Sequence, residues 1–143
     1  MDSTDVLEIM RRTAPAAFAG TPALFAFIFG SHATGRANDA SDIDVAVYLD
    51  ANTDAGGRLL VSLDLAGRLA DASGLPRIEV VVMNDLPLAL LGSILRERRV
   101  ICSRDEAARV RFEATTRSLA MDFEVHARRL DRELLARTAD GGR

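Results

Sequence analysis

Apolar positions along the chain switch between helical and strand spacing often enough to lay out most of a fold. Val6, Leu7 and Met10 share one helical face over residues 2–10. Ser3 or Thr4 is placed to cap the first turn, and Pro15 with the Gly20-Thr21-Pro22 turn closes the segment. Residues 25–29 form a continuous apolar run of strand length, beginning near Ala23. A second strand opens with Asp42 and Asp44 and continues Val45-Ala46-Val47-Tyr48. Side chains alternate faces along a strand, so the two aspartates project from one side while Ile43 and Val45 project from the other.

Leu59, Leu60, Leu63, Leu65, Ala66 and Leu69 then recur at helical steps within residues 54–73, with Gly74 and Pro76 as the stop. A helix following a strand in this way predicts a crossover connection. Residues 77–83 carry β-branched side chains on both faces, which predicts a central strand. Asn84 to Pro87 turn the chain into a helix striped by Leu88, Leu91, Ile94 and Leu95 and ending near Arg98 and Arg99, whose charge suits a helix C-terminus. Val100-Ile101-Cys102 makes a short last strand. Ser103, with Glu106 three residues on, is a capping box opening the longest helix, residues 104–137. Its stripe of Phe112, Leu119, Phe123, His126, Leu130 and Leu134 would run roughly 50 Å at 1.5 Å per residue, beyond the width of so small a domain, so part of it should meet a partner. Residues 138–143 read as a frayed end.

The fold class these elements imply is α/β (α+β): a small mixed sheet of about four strands, packed helices and a long C-terminal helix. With 143 residues and 48% hydrophobic content, a single domain over residues 1–143 is expected, with 104–137 as its helical extension. No apolar run is long enough to span a membrane and the N-terminus lacks a signal-peptide layout, so a cytoplasmic location is expected. The lone Cys102, in an apolar context, agrees with a reducing compartment.

All 18 basic residues are arginine, which leaves arginine as the only side chain for a phosphate clamp and excludes Schiff-base chemistry. Residues 1–95 hold 6 Arg against 12 acids, and residues 96–143 hold 12 Arg against 9 acids. Signs alternate along the basic tail, as on a solvated helix face. With no Trp and one Tyr, stacking recognition of RNA finds little support.

Two carboxylates on one side of a strand raise each other's pKa, and a divalent cation removes the conflict. Mg²⁺ is commonly held by one or two carboxylates together with substrate phosphates. Just upstream, Gly30 and Ser31 follow a buried strand, where a chain turning into a short helix can offer backbone N–H groups and a hydroxyl to a phosphate. Glu79 is the one charge inside the apolar run of residues 77–83. It either pairs with a nearby arginine such as Arg77 or joins Asp42 and Asp44. His32, isolated beside a turn, reads as a hydrogen-bonding or exposed residue.

Gly30-Ser31, ten intervening residues, then Asp42-x-Asp44 resembles the G-S-x10-D-x-D signature of the DNA polymerase β-like nucleotidyltransferase superfamily, most closely its minimal, MNT-type members. The resemblance implies Mg²⁺ on Asp42 and Asp44, ATP as co-substrate with its phosphates on Gly30 and Ser31, and a triphosphate contact for Arg36. It also implies a third acid on a following strand, a place that Glu79 matches by context. A chain this short, with an arginine-rich helix after the core, looks like the MNT antitoxin of HEPN/MNT toxin–antitoxin pairs. That implies transfer of AMP to a tyrosine hydroxyl of a HEPN ribonuclease toxin, in a hetero-oligomer with it. The alternative is an antitoxin that masks its toxin by binding, without chemistry.

Overall fold

Strand alternation decides the layering in the computed structural model, which describes residues 1–141. In chain order the elements are α1 (Ser3–Phe18), β1 (Ala23–Phe29), α2 (Ser31–Thr34), β2 (Ile43–Leu49), α3 (Arg58–Ser73), β3 (Ile78–Val82), α4 (Leu88–Glu97), β4 (Arg99–Ser103) and α5 (Glu106–Gly141). The strands form one mixed sheet in the order β3-β2-β1-β4. β1 is antiparallel to β2 and β4, while the α3 crossover makes β2 and β3 parallel. The mixed α/β class expected from the sequence is the one observed.

Ile43, Val45, Val47 and Leu49 point to one face, where they join Ala26 and Ile28 of β1 and are covered by Met10, Ala14 and Phe18 of α1 and Leu65 and Leu69 of α3. Phe25, Phe27 and Ala46 point to the other, beneath Met83, Ile94 and Leu95. Phe112 of α5 closes that layer, 5.5 Å from the Phe25 ring and 4.9 Å from Tyr48, which itself stacks on Phe25. An alanine-sized gap completes the fit: a Cβ on Gly92 of α4 would meet Ala120 Cβ of α5 at 3.1 Å. No helix of the described residues is long and apolar enough to cross a membrane.

Several boundaries differ from the sequence expectation. Asp2, not Ser3 or Thr4, caps α1 by accepting from the Asp5 N–H at 2.9 Å. The helix continues through Pro15, which cannot donate to the carbonyl four residues back, because Ala17 and Phe18 bury beyond it. β3 is an edge strand, not a central one. Its apolar residues on both faces reflect two half-covered faces, a property that does not depend on having neighbours on both edges. At the start of α3, Leu59, Leu60 and Leu63 remain 70, 71 and 61% exposed, so the buried stripe there reduces to Ser62, Leu65 and Leu69. Asp105 caps α5 through the Ala108 N–H, whereas Ser103 bonds the Glu106 side chain. The helix persists through Thr138 to Gly141, where fraying was expected; Gly142 and Arg143 lie outside the described residues.

α5 is 36 residues long, about 54 Å at 1.5 Å per residue. Only its first turns find the core. Glu113 is buried there between Arg98 and Arg109, with Arg117 farther off, and the Arg98 guanidinium also lies 5.5 Å from the Phe27 ring centre. Removing one partner of a buried ion pair leaves uncompensated charge. Glu113→Ala is therefore expected to lower unfolding stability by about 3 kcal/mol in urea titration. Glu106→Ala, on the exposed side of Arg109, should cost far less. Beyond Thr116 the stripe is uncovered: Leu119, Phe123, Leu130 and Leu134 are 51, 52, 44 and 58% exposed, and His126 is exposed with them.

Candidate active site

The phenylalanine-rich face of the sheet runs out at the C-terminal end of β1, and there the sequence places its acids. Phe29 pairs with Asp44 across β1 and β2, and Asp44 pairs with Glu79 across β2 and β3. Residues directly opposite in a sheet share a face. Phe29, Asp44 and Glu79 thus form one row, and Asp42 precedes β2 by one residue on the same side. Asp44 is half-buried, while Asp42 and Glu79 are exposed. Glu79 makes no ion pair with Arg77 among the described residues; the Arg77 guanidinium donates instead to the Asp39 carbonyl at 3.2 Å.

β1 ends at Gly30, whose φ of 74° and ψ of −154° start the four-residue helix α2. Only glycine fits this position. An added Cβ would lie 2.5 Å from Asp44 Oδ2, besides requiring a left-handed backbone. Gly30 and Asp44 are therefore in direct contact, although thirteen residues of sequence lie between them. Gly35, also left-handed, ends α2, with the Arg36 N–H donating to the Ser31 carbonyl at 3.0 Å. Ser31 is half-buried and the Arg36 side chain exposed.

Burial pushes the Asp44 carboxyl above its usual range; Glu79 and Asp42 add to the shift by repulsion, His32 opposes it and Glu97 adds slightly more. His32 is buried, its Nδ1 3.5 Å from Ser3 Oγ, so a sequence reading of it as hydrogen-bonded holds, but its approach to Asp44 was not foreseen. Glu97 was missed altogether. It ends α4 and accepts the Gly30 N–H at 3.1 Å, inside the turn proposed for phosphate. A signal existed, because an acid in the last turn of a helix opposes the helix dipole that suits its arginine neighbours.

A divalent cation fits this donor set, since it would relieve repulsion around Asp44 that His32 offsets only in part. Among the described residues no three His, Cys, Asp or Glu side chains form a ready-made cage. The two widest described cavities, about 550 and 560 Å³, lie against Leu24, Asp50 and Asp105 at the opposite end of the strands and take in none of these acids.

A strand, a Gly-Ser turn and a neighbouring strand bearing two aspartates on one face define a nucleotidyltransferase core. The sequence pattern of the "Polymerase beta, Nucleotidyltransferase" family matches residues 18–107, well over half of the chain, and the protein belongs to that family. Among curated proteins none matches the sequence significantly. Solved structures extend the likeness through α5. A chain of a toxin–antitoxin complex crystallised with AMP-PNP superimposes with a TM-score of 0.61 at 16% identity, covering 94% of this chain and 99% of its own. The complex of a tri-AMPylated Shewanella oneidensis HEPN toxin with an MNT antitoxin gives a TM-score of 0.54 at 16% identity, over 93% and 95%. A protein assigned as a minimal nucleotidyltransferase is 28% identical, with a TM-score of 0.52 over 69% of this chain and 95% of that one.

Proposed function

We propose that the protein is an antitoxin that transfers AMP from ATP, with Mg²⁺, to a tyrosine hydroxyl of a HEPN-type ribonuclease toxin and so silences it. The observation that carries this reading is the row of Asp44 and Glu79, joined by Asp42, directly against the Gly30 turn. The long likeness to chains of toxin–antitoxin complexes, one with a tri-AMPylated toxin, supports the choice of acceptor.

In this reading Asp42 and Asp44 hold the metal, and Gly30, Ser31 and Arg36 receive the triphosphate. Mg²⁺ bound there supplies positive charge where the α-phosphate and the leaving oxygens become more negative. The tyrosine oxygen attacks the α-phosphorus in line, the bond to the bridging oxygen breaks and pyrophosphate leaves. Glu79, exposed beside Asp44, accepts the tyrosine proton. The uncovered apolar residues of α5 give the toxin a surface to bind, because they continue a stripe whose first turns are already buried in this chain.

Intact-mass spectrometry of the protein encoded beside this one tests the assignment. After co-expression with the wild type its mass should rise by one or more AMP units, and it should remain unmodified with an Asp42→Ala/Asp44→Ala double variant. An unmodified neighbour that co-purifies with both forms would instead make this an antitoxin that masks its toxin.

A further inference from the structure

Glu97 occupies the backbone donor that the proposed function gives to a phosphate, and among the described residues no side chain pairs with it there. Its carboxylate Oε2 accepts the Gly30 N–H at 3.1 Å, and Gly30 is the residue whose missing Cβ lets Asp44 approach. Three acids surround this contact on the same end of the sheet: Asp44, with Glu79 and Asp42 beside it. The arginines flanking Glu97 in sequence would be its natural partners, yet both are committed elsewhere. Arg96 bonds Glu124 of α5 and Ser93, and Arg98 is engaged by buried Glu113 and the Phe27 ring. No cation among the described residues pairs with Glu97, and it closes α4 at the end where the helix dipole disfavours an acid. An exposed carboxylate held by one backbone N–H, against like charge and an unfavourable dipole, costs little to displace.

We propose that Glu97 is a displaceable stand-in for a nucleotide phosphate, seated on the Gly30 N–H, and that its charge makes entry depend on a metal-neutralised triphosphate. The proposal rests on the nucleotidyltransferase reading above and adds a gate to it. A bare triphosphate meets four carboxylates and an occupied donor. With Mg²⁺ bound the triphosphate would bring less negative charge into the site, so that Glu97 would swing into solvent on its flexible stem and free the Gly30 N–H for a phosphate oxygen.

Calorimetric titration of the full chain with AMP-PNP, once with Mg²⁺ and once with excess chelator, separates the possibilities. Glu97→Gln keeps an oxygen that can accept from Gly30 but loses the charge. Glu8→Gln, an exposed change on α1, controls for net charge. Glu97→Gln is expected to tighten metal-free AMP-PNP on the order of tenfold and the magnesium complex by about threefold. KM for ATP should fall while kcat stays within about twofold, a split that loss of a purely structural contact would not give. Binding no tighter than in Glu8→Gln would overturn the gate. Weaker binding of the magnesium complex with a lower kcat would overturn it too, by making Glu97 a metal-holding residue. Absence of binding in every protein would remove the proposed transfer from ATP and the gate with it.

Discussion

Asp44→Asn is expected to abolish AMP transfer while making the protein more stable at neutral pH. The loss of activity should be on the order of a thousandfold or more, equivalent to about 4 kcal/mol of transition-state stabilisation, because the amide cannot hold Mg²⁺ as the carboxylate does. The gain in stability follows from the raised pKa of Asp44. A carboxyl that holds its proton more tightly in the folded chain than in the unfolded one adds nothing unfavourable below its usual value of 3.8. As pH climbs from there through the raised folded value, the cost of ionising the half-buried Asp44 beside Glu79, Asp42 and Glu97 accumulates, and it is fully present above that value. Asparagine removes that cost. The urea midpoint of the variant should therefore exceed that of the wild type at pH 7, and the difference should close as pH falls below about 4. Added Mg²⁺ should raise the melting temperature of the wild type and not that of an Asp42→Asn/Asp44→Asn protein. A variant that is less stable at pH 7 would mean that Asp44 is structural, and one that keeps full transfer with Mg²⁺ and ATP would end the assignment.

The same electrostatics explain what could be read from the sequence. Asp42 and Asp44 were legible because strand alternation is a local rule: two residues apart means one face, whatever the rest of the chain does. The Gly-Ser turn was legible because its spacing to the aspartates is fixed by the length of one connection. Glu79 was only half legible. Its place on a strand was clear, but whether it faced Asp44 or a partner such as Arg77 depended on the register between β2 and β3, which is set by the α3 crossover. The order of the strands was not legible either, and β3 was misplaced at the centre because two half-covered faces produce the same apolar pattern as two neighbours. Glu97 and His32 escaped for a related reason: each reaches the site from an element whose packing is decided by distant residues, α4 by Phe27 and Met83, and His32 by α1. Helix ends shifted wherever burial outweighed a local stop, as at Pro15.

Gly30→Ala is expected to damage activity severely, though less than loss of Asp44, with a structural cost that Asp44→Asn does not carry. Two glycines bracket α2 with positive φ, Gly30 at φ 74° and ψ −154° and Gly35 at φ 76° and ψ 15°. Alanine is strained at both, by about 1 kcal/mol at Gly35 in the left-handed helical region, and by more at Gly30, whose φ and ψ fall in a region that is essentially glycine's alone. Their surroundings differ completely, since a Cβ on Gly35 meets nothing within 4 Å and a Cβ on Gly30 lies 2.5 Å from Asp44 Oδ2. Gly35→Ala should therefore lose only that backbone increment and retain transfer within a few-fold. In Gly30→Ala the methyl and the carboxylate cannot both keep their places. Either Asp44 turns away from Asp42 or the turn moves away from β2, and both separate the carboxylate oxygens proposed to hold the metal from the N–H groups proposed to receive phosphate. Transfer should fall by on the order of a hundredfold or more, since a displacement of about 1 Å at a reacting centre has that effect. Nucleotide binding measured by calorimetry should weaken in parallel, and the unfolding midpoint should drop below that of Gly35→Ala. Equal behaviour of the two alanine variants would show that the contact between Gly30 and Asp44 does not organise the site.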